Sequence, residues 1–173
     1  GNNITHDGVG TIVFGINDKT KTSEECIERT KKYFDKAKIE YKIPEDMPHA
    51  YWLKYMLNVS SNQPSAILRM TFGDMQSNKK FMEFLVKIMK EVQAIAKAEG
   101  IKNTDKMIDE ALKSFSKMTA DGKPSTLQDV EGHRKTEVDM FAGTMIEFGK
   151  KHNIPTPYNM VLKDMLEVIQ EGY

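Results

Sequence analysis

Between Ala50 and Leu68 the chain carries one charged residue, Lys54, and that scarcity decides most of what the surrounding segment can become. Read as a helix at ~100° per residue, the run from Trp52 to Asn62 places Lys54, Asn58, Ser61 and Asn62 on one narrow stripe. Trp52, Leu53, Tyr55, Met56, Leu57 and Val59 cover most of the remaining circumference. A helix that is apolar nearly all round belongs in a protein interior. Its stripe then carries an ammonium and two carboxamides inward over roughly 12 Å, which is costly unless polar groups meet them. A ligand would meet them. The competing account has Lys54 reaching solvent from a helix end, with Asn58 and Asn62 on a solvated face. The narrow polar arc, which holds amides in place of the usual mixture of Glu and Lys, weighs against it.

Composition narrows the partners. The 173 residues suffice for one sizeable domain, or one domain plus part of another. The 25 basic residues balance 25 acidic ones and mean hydropathy is -0.53, so neither nucleic acid nor an anionic membrane has a global electrostatic claim. Asn58, Ser60, Ser61, Asn62 and Gln63 interrupt the apolar run and argue against a bilayer span. No secretory signal is legible, and Cys26 is the single cysteine, so the reducing cytoplasm is the expected compartment. His6, His49, His133 and His152 are scattered without ligand spacing, and no metal site is expected.

The start of the chain reads differently from the rest. Thr11 to Gly15 is β-prone, Thr22 or Ser23 opens a helix through about Lys38, and Ile39 to Ile43 alternates like an edge strand before Pro44. Three such elements cannot close a core alone. Residues 1–47 are therefore expected to be the tail of an α/β unit whose other strands precede Gly1, and residues 48–173 an all-helical domain. In the helical part, Pro64 kinks or restarts the first helix and Gly73 closes the following turn. Ser77 or Asn78 caps a long amphipathic helix up to Gly100, and Asn103 or Thr104 caps the next, to about Met118. Asp121 to Pro124 is a loop, Arg134 to Lys150 a further helix, and Thr156-Pro157 launches the last one through about Gln170.

Two further residues stand out. In the helix expected from Arg134, Glu137 shares a side with Phe141, Thr144, Met145 and Phe148, so it should face inward and need a cationic partner. The alternative is a first-turn glutamate serving the helix dipole. Ser125, after Lys123-Pro124, reads by itself as a turn or cap residue. Gly8-Val9-Gly10 lacks the third glycine and helix start of a dinucleotide fingerprint, and no Walker loop is present.

Taken together, Trp52-Leu53-Lys54, Asn58, Asn62, Ser125-Thr126-Leu127-Gln128-Asp129 and Arg134-Lys135-Thr136-Glu137-Val138-Asp139 resemble the C-terminal half of ketopantoate reductases (2-dehydropantoate 2-reductases). His6, Gly8, Gly10 and the run to Gly15 resemble the end of that family's nucleotide-binding domain. The resemblance implies NADPH-dependent reduction of a small 2-oxo acid, 2-dehydropantoate, to pantoate on the route to pantothenate and coenzyme A. It implies Lys54 as proton donor, Asn58, Asn62 and Ser125 as substrate-binding residues, and Glu137 as a contact to the cofactor and the lysine. NADPH would be held mainly by residues preceding Gly1, and this stretch alone is expected to have no turnover. Phe72 stands where some members carry a substrate-binding asparagine, which leaves the 2-oxo acid open. Two alternatives remain at this point: a reductase of the same family acting on another 2-oxo acid, and a non-catalytic helical module that pairs as a homodimer.

Overall fold

The computed structural model describes residues 10–17 and 23–173. His6, Gly8 and the candidate cap Thr22 lie outside them. The described chain is mainly helical and divides into compact units, residues 1–51 and 52–173.

The first unit is a strand, a helix and a strand. β1 (Ile12–Val13) pairs in parallel with β2 (Tyr41–Lys42), Ile12 opposite Tyr41, and α1 (Glu24–Ala37) makes the crossover that parallel pairing requires. Both strands are shorter than the alternation suggested. Ser23 caps α1, its hydroxyl accepting from Cys26 N, and Lys38 ends the helix in the left-handed region at φ 55°. Phe14, Phe34 and Tyr41 cluster with ring centroids 5.3–5.8 Å apart, the small apolar centre of this unit.

The helical unit is built around α5 (Lys79–Ala98), whose Leu85, Ile88, Met89, Val92, Ile95 and Ala96 are wholly buried at the spacing expected of an inward face. Around it lie α6 (Met107–Phe115), α8 (Thr144–His152), α9 (Pro157–Glu171) and the long element that holds Lys54. That element is α2 (Met47–Leu57), a π-helical turn (Asn58–Asn62) and α3 (Gln63–Leu68) in direct succession. Arg69, at φ 57°, ends it. α4 (Phe72–Ser77) follows a capping box in which Thr71 and Asp74 bond reciprocally, so Gly73 lies in the first turn of a helix and does not close one. α7 (Ser125–Glu131) is a short helix where only a loop and a cap were expected.

The last helix is capped from a distance. Thr156 makes no side-chain cap; Glu91 of α5, 7% exposed, accepts from Tyr158 N (2.8 Å), Asn159 N (3.2 Å) and Asn159 Nδ2 (2.7 Å). A carboxylate at that helix N-terminus is stabilised by the orphan donors it satisfies. No described helix is long and apolar enough to cross a membrane.

Candidate active site

The π turn explains the local sequence. Widening a helix to i→i+5 bonding leaves carbonyls without their usual partners, and Pro64 removes a further donor. The buried polar side chains supply the replacements: Ser60 Oγ donates to Met56 O (2.7 Å), Ser61 Oγ to Leu57 O (2.6 Å), Gln63 Nε2 to Val59 O (3.0 Å) and Ser65 Oγ to Asn62 O (2.8 Å). The residues that seemed to break an apolar helix therefore hold its widened turn together. The turn also aligns the stripe. A step of four residues overshoots a full turn of α-helix and falls short of a π turn, so the drift from Lys54 to Asn58 is opposed by that from Asn58 to Asn62.

The stripe faces a cavity of about 260 Å³ lined by Lys54, Asn58, Asn62 and Ser125, among others. Asn62 Nδ2 donates to Ser125 Oγ at 3.2 Å, tying the π turn to the first residue of α7 across 63 residues of sequence. Asn62 Oδ1 lies 3.2 Å from Ser61 Oγ, whose single proton goes to Leu57 O at 2.6 Å, so the bond to Ser125 is the one that holds this carboxamide. Ser61 and Lys123 add polar groups to the lining, and Lys123 Nζ is held 2.8 Å from each oxygen of the Glu131 carboxylate. Leu57, Phe72, Phe115 and Met118 are apolar lining residues. Ser61 belonged to the stripe read from periodicity, whereas Lys123, Phe115 and Met118 carried no recognisable signal as site residues. Lys123 stands two residues before Ser125, and a search outward from that serine would have reached it.

Two expectations are corrected. Lys54 is exposed, not buried: full burial of the long element begins at Met56, and the lysine stands at the cavity's edge without an ion pair to any described residue. An ammonium there keeps its hydration on one side, which removes the desolvation cost that a buried lysine incurs. Glu137 does not face inward. Arg134 folds back on α7, its Nε donating to Asp129 Oδ1 (3.0 Å), the following residues are irregular with a bend at Glu137, and helical geometry starts only at Val138. Thr136 N and Oγ1 both donate to Gln170 Oε1, at 2.6 and 3.0 Å. Thr136 and Val138 are buried, while Glu137, at the bend between them, is exposed. Glu137 does not line the cavity; its carbonyl accepts from Phe141 N at 3.0 Å, which places it at the helix start, as the dipole alternative has it. A second π turn (Asp139–Gly143) follows, and Tyr55 Oη donates to Phe141 O at 2.9 Å, joining the lysine-bearing helix to the segment after Glu137. No metal-binding group of acidic, His or Cys side chains forms among the described residues.

Residues 46–170 match the family model described as ketopantoate reductase PanE/ApbA C terminal. The chain belongs to the ketopantoate reductase family. A 2-dehydropantoate 2-reductase from Pyrococcus horikoshii is 30% identical over 155 residues, 90% of this chain and 50% of that protein, so the chain spans about half the length of that curated relative. Among solved structures, a PanE/ApbA family ketopantoate reductase from Ralstonia eutropha JMP134 superposes with a TM-score of 0.81 at 24% identity, covering 96% of this chain and 53% of the other. D-mandelate dehydrogenase in a ternary structure with NADH and anilino(oxo)acetate gives 0.83 at 20% identity, covering 95% and 68%. These likenesses establish the helical ketopantoate reductase fold with its small β element.

Proposed function

We propose that this chain is the substrate-binding and proton-donating part of an NADPH-dependent 2-dehydropantoate 2-reductase, with residues 1–47 as the end of its nucleotide-binding domain. One observation carries the reading: four residues from two distant segments, Lys54, Asn58, Asn62 and Ser125, line a single cavity of a size suited to a small acid. The parallel strands and crossover helix of the first unit fit a dinucleotide-binding fold, but the described residues include no glycine-rich turn leading from a strand into a helix. The chain's own share of cofactor contact falls to Glu137, exposed at a helix start.

A reduced nicotinamide, when bound, supplies the hydride. The carbonyl carbon accepts it, negative charge develops on the ketone oxygen, and Lys54 Nζ stabilises that oxygen and gives up a proton to complete the alcohol. Ser125 Oγ, held by Asn62, and the carboxamide of Asn58 anchor the carboxylate and hydroxyl groups of the acid. Because the asparagines and the lysine share one continuous helical element, orientation and protonation come from the same rigid body.

Reduction of another 2-oxo acid is supported by the apolar lining at Phe72, Phe115 and Met118, and by the fold shared with D-mandelate dehydrogenase. The deciding experiment replaces Lys54 by Ala in a polypeptide that also carries a complete nucleotide-binding domain. Turnover of 2-dehydropantoate should fall by about 10²-fold or more with helicity unchanged. Unaltered turnover, or a change in stability or self-association alone, returns the lysine to a structural role and favours the non-catalytic module.

A further inference from the structure

The π turn has a carbonyl that its own backbone cannot satisfy. Pairing residues five apart directs Val59 O to residue 64, and Pro64 has no N–H to give. Val59 is wholly buried, so water does not readily replace the missing donor. A neighbouring side chain supplies it: Gln63 Nε2 donates to Val59 O at 3.0 Å.

That amide is itself oriented from two other helices. Glu91 of α5 accepts from Asn159 Nδ2 of α9 at 2.7 Å, which turns the other end of the Asn159 carboxamide, Oδ1, toward Gln63 Nε2 at 3.5 Å. Asn159 and Gln63 are wholly buried and Glu91 nearly so. Two acceptors, Val59 O and Asn159 Oδ1, therefore face one NH₂ group and fix which way the Gln63 amide points. Gln63 Oε1 is left buried without a hydrogen bond to any described residue, a penalty that an apolar side chain of similar length would not carry. Packing alone does not call for a glutamine here.

We infer that Gln63, which does not line the cavity, is a positioning residue for it: its amide stands in for the N–H that Pro64 lacks and keeps the π turn wide, while Asn159 and Glu91 hold that amide in place. The inference rests on the cavity being a 2-oxo acid site, as proposed above. Asn58 and Asn62 are the first and last residues of the turn, and Asn62 reaches Ser125 from its far end. Without the Gln63 amide, the donor that remains for Val59 O is the backbone N–H of residue 63, its partner in α-helical pairing. Taking that bond narrows the turn and carries Asn62 off the line of Lys54 and Asn58. A displacement of about 1 Å in a group that orients substrate lowers turnover by about 10²-fold.

The test measures kcat/KM for 2-dehydropantoate with NADPH in a polypeptide that also carries a complete nucleotide-binding domain, alongside nitrogen-15 amide spectra of this chain. Gln63→Met keeps the length of the side chain and removes its donor. The value of kcat/KM should fall by about 10²-fold with helicity unchanged by circular dichroism, and the amide signals of Asn58, Asn62 and Ser125 should shift. Pro64→Ala places an N–H where pairing across five residues needs one. Alone it should leave kcat/KM within about threefold of the parent, and added to Gln63→Met it should return kcat/KM to that range, a rescue that lost packing would not show. If circular dichroism shows Gln63→Met unfolded, Gln63→Asn takes its place, since its shorter side chain draws the amide away from Val59 O, and the same loss and rescue are expected. A Gln63 variant within about threefold of an active parent, or a loss that Pro64→Ala does not reverse, overturns the inference and leaves the 2-oxo acid site standing. A parent without turnover removes that site, and the inference with it.

Discussion

Replacing Glu91 by Ala should destabilise the helical unit more than almost any other single polar substitution. The carboxylate is 7% exposed and accepts three hydrogen bonds: from Tyr158 N at 2.8 Å, Asn159 N at 3.2 Å and Asn159 Nδ2 at 2.7 Å. Alanine leaves these donors facing a space that water does not readily reach, and Asn159 is wholly buried. Bonds to a charged acceptor contribute about 1.5–3 kcal/mol each, but the three share one cap and do not add in full, so a loss of about 4 kcal/mol is expected. With a urea dependence of about 2 kcal/mol per molar, the unfolding midpoint falls by about 2 M. Fluorescence of Trp52, the chain's single tryptophan, reports the transition. Glu91→Gln should fall between the two, because glutamine keeps one accepting oxygen and turns its NH₂ toward a donor. A midpoint shift under about 0.5 M for Glu91→Ala, or equal shifts for both variants, would refute the view that this carboxylate caps the last helix.

The other expectations concern the site's surroundings. Gly122→Ala places a Cβ 3.1 Å from the Phe72 ring, so it should cost about 1–3 kcal/mol by overpacking and disturb the amide signals of Phe72 and Phe115 in heteronuclear spectra. Unchanged signals there would show that the ring has room to yield. Asn62→Ala removes the 3.2 Å bond to Ser125 and should lower affinity for 2-oxo acids with a stability loss of only about 1 kcal/mol, measured by titration and urea unfolding of the same sample. Lys163 Nζ bonds Asp139 at 2.9 Å and holds that carboxyl below the usual carboxylate range. A folded-state pKa lowered in this way gives stability that is complete above the unfolded value of about 4 and is lost as pH falls through the folded one. Asp139→Asn should therefore flatten the decline of Tm below about pH 4, and an unaltered slope would place the acid sensitivity elsewhere.

Much of the fold was legible because its elements obey local rules. The inward face of α5 follows helical spacing, Ser23 and Asn78 cap the helices they precede, and the parallel strands with their crossover helix declare themselves by β-prone runs flanking a capped helix. The stripe of Lys54, Asn58 and Asn62 was equally local, since one continuous helical element carries all three. Glu137 was not legible. Its orientation depends on where a helix begins, and that start is delayed by Arg134 returning to Asp129 and by Thr136 bonding Gln170, partners 5 and 34 residues away.

Sequence by itself determined which side chains could do chemistry and which helical face would carry them, because periodicity is a property of one segment. Tertiary structure decided the rest: that Lys54 stands at the edge of a cavity, that Ser125 is brought to Asn62, and that Gln76 and Gly122 hold an apolar surface beside them. Those outcomes come from hydrogen bonds and close contacts between segments far apart in the chain, whose closure no local pattern encodes.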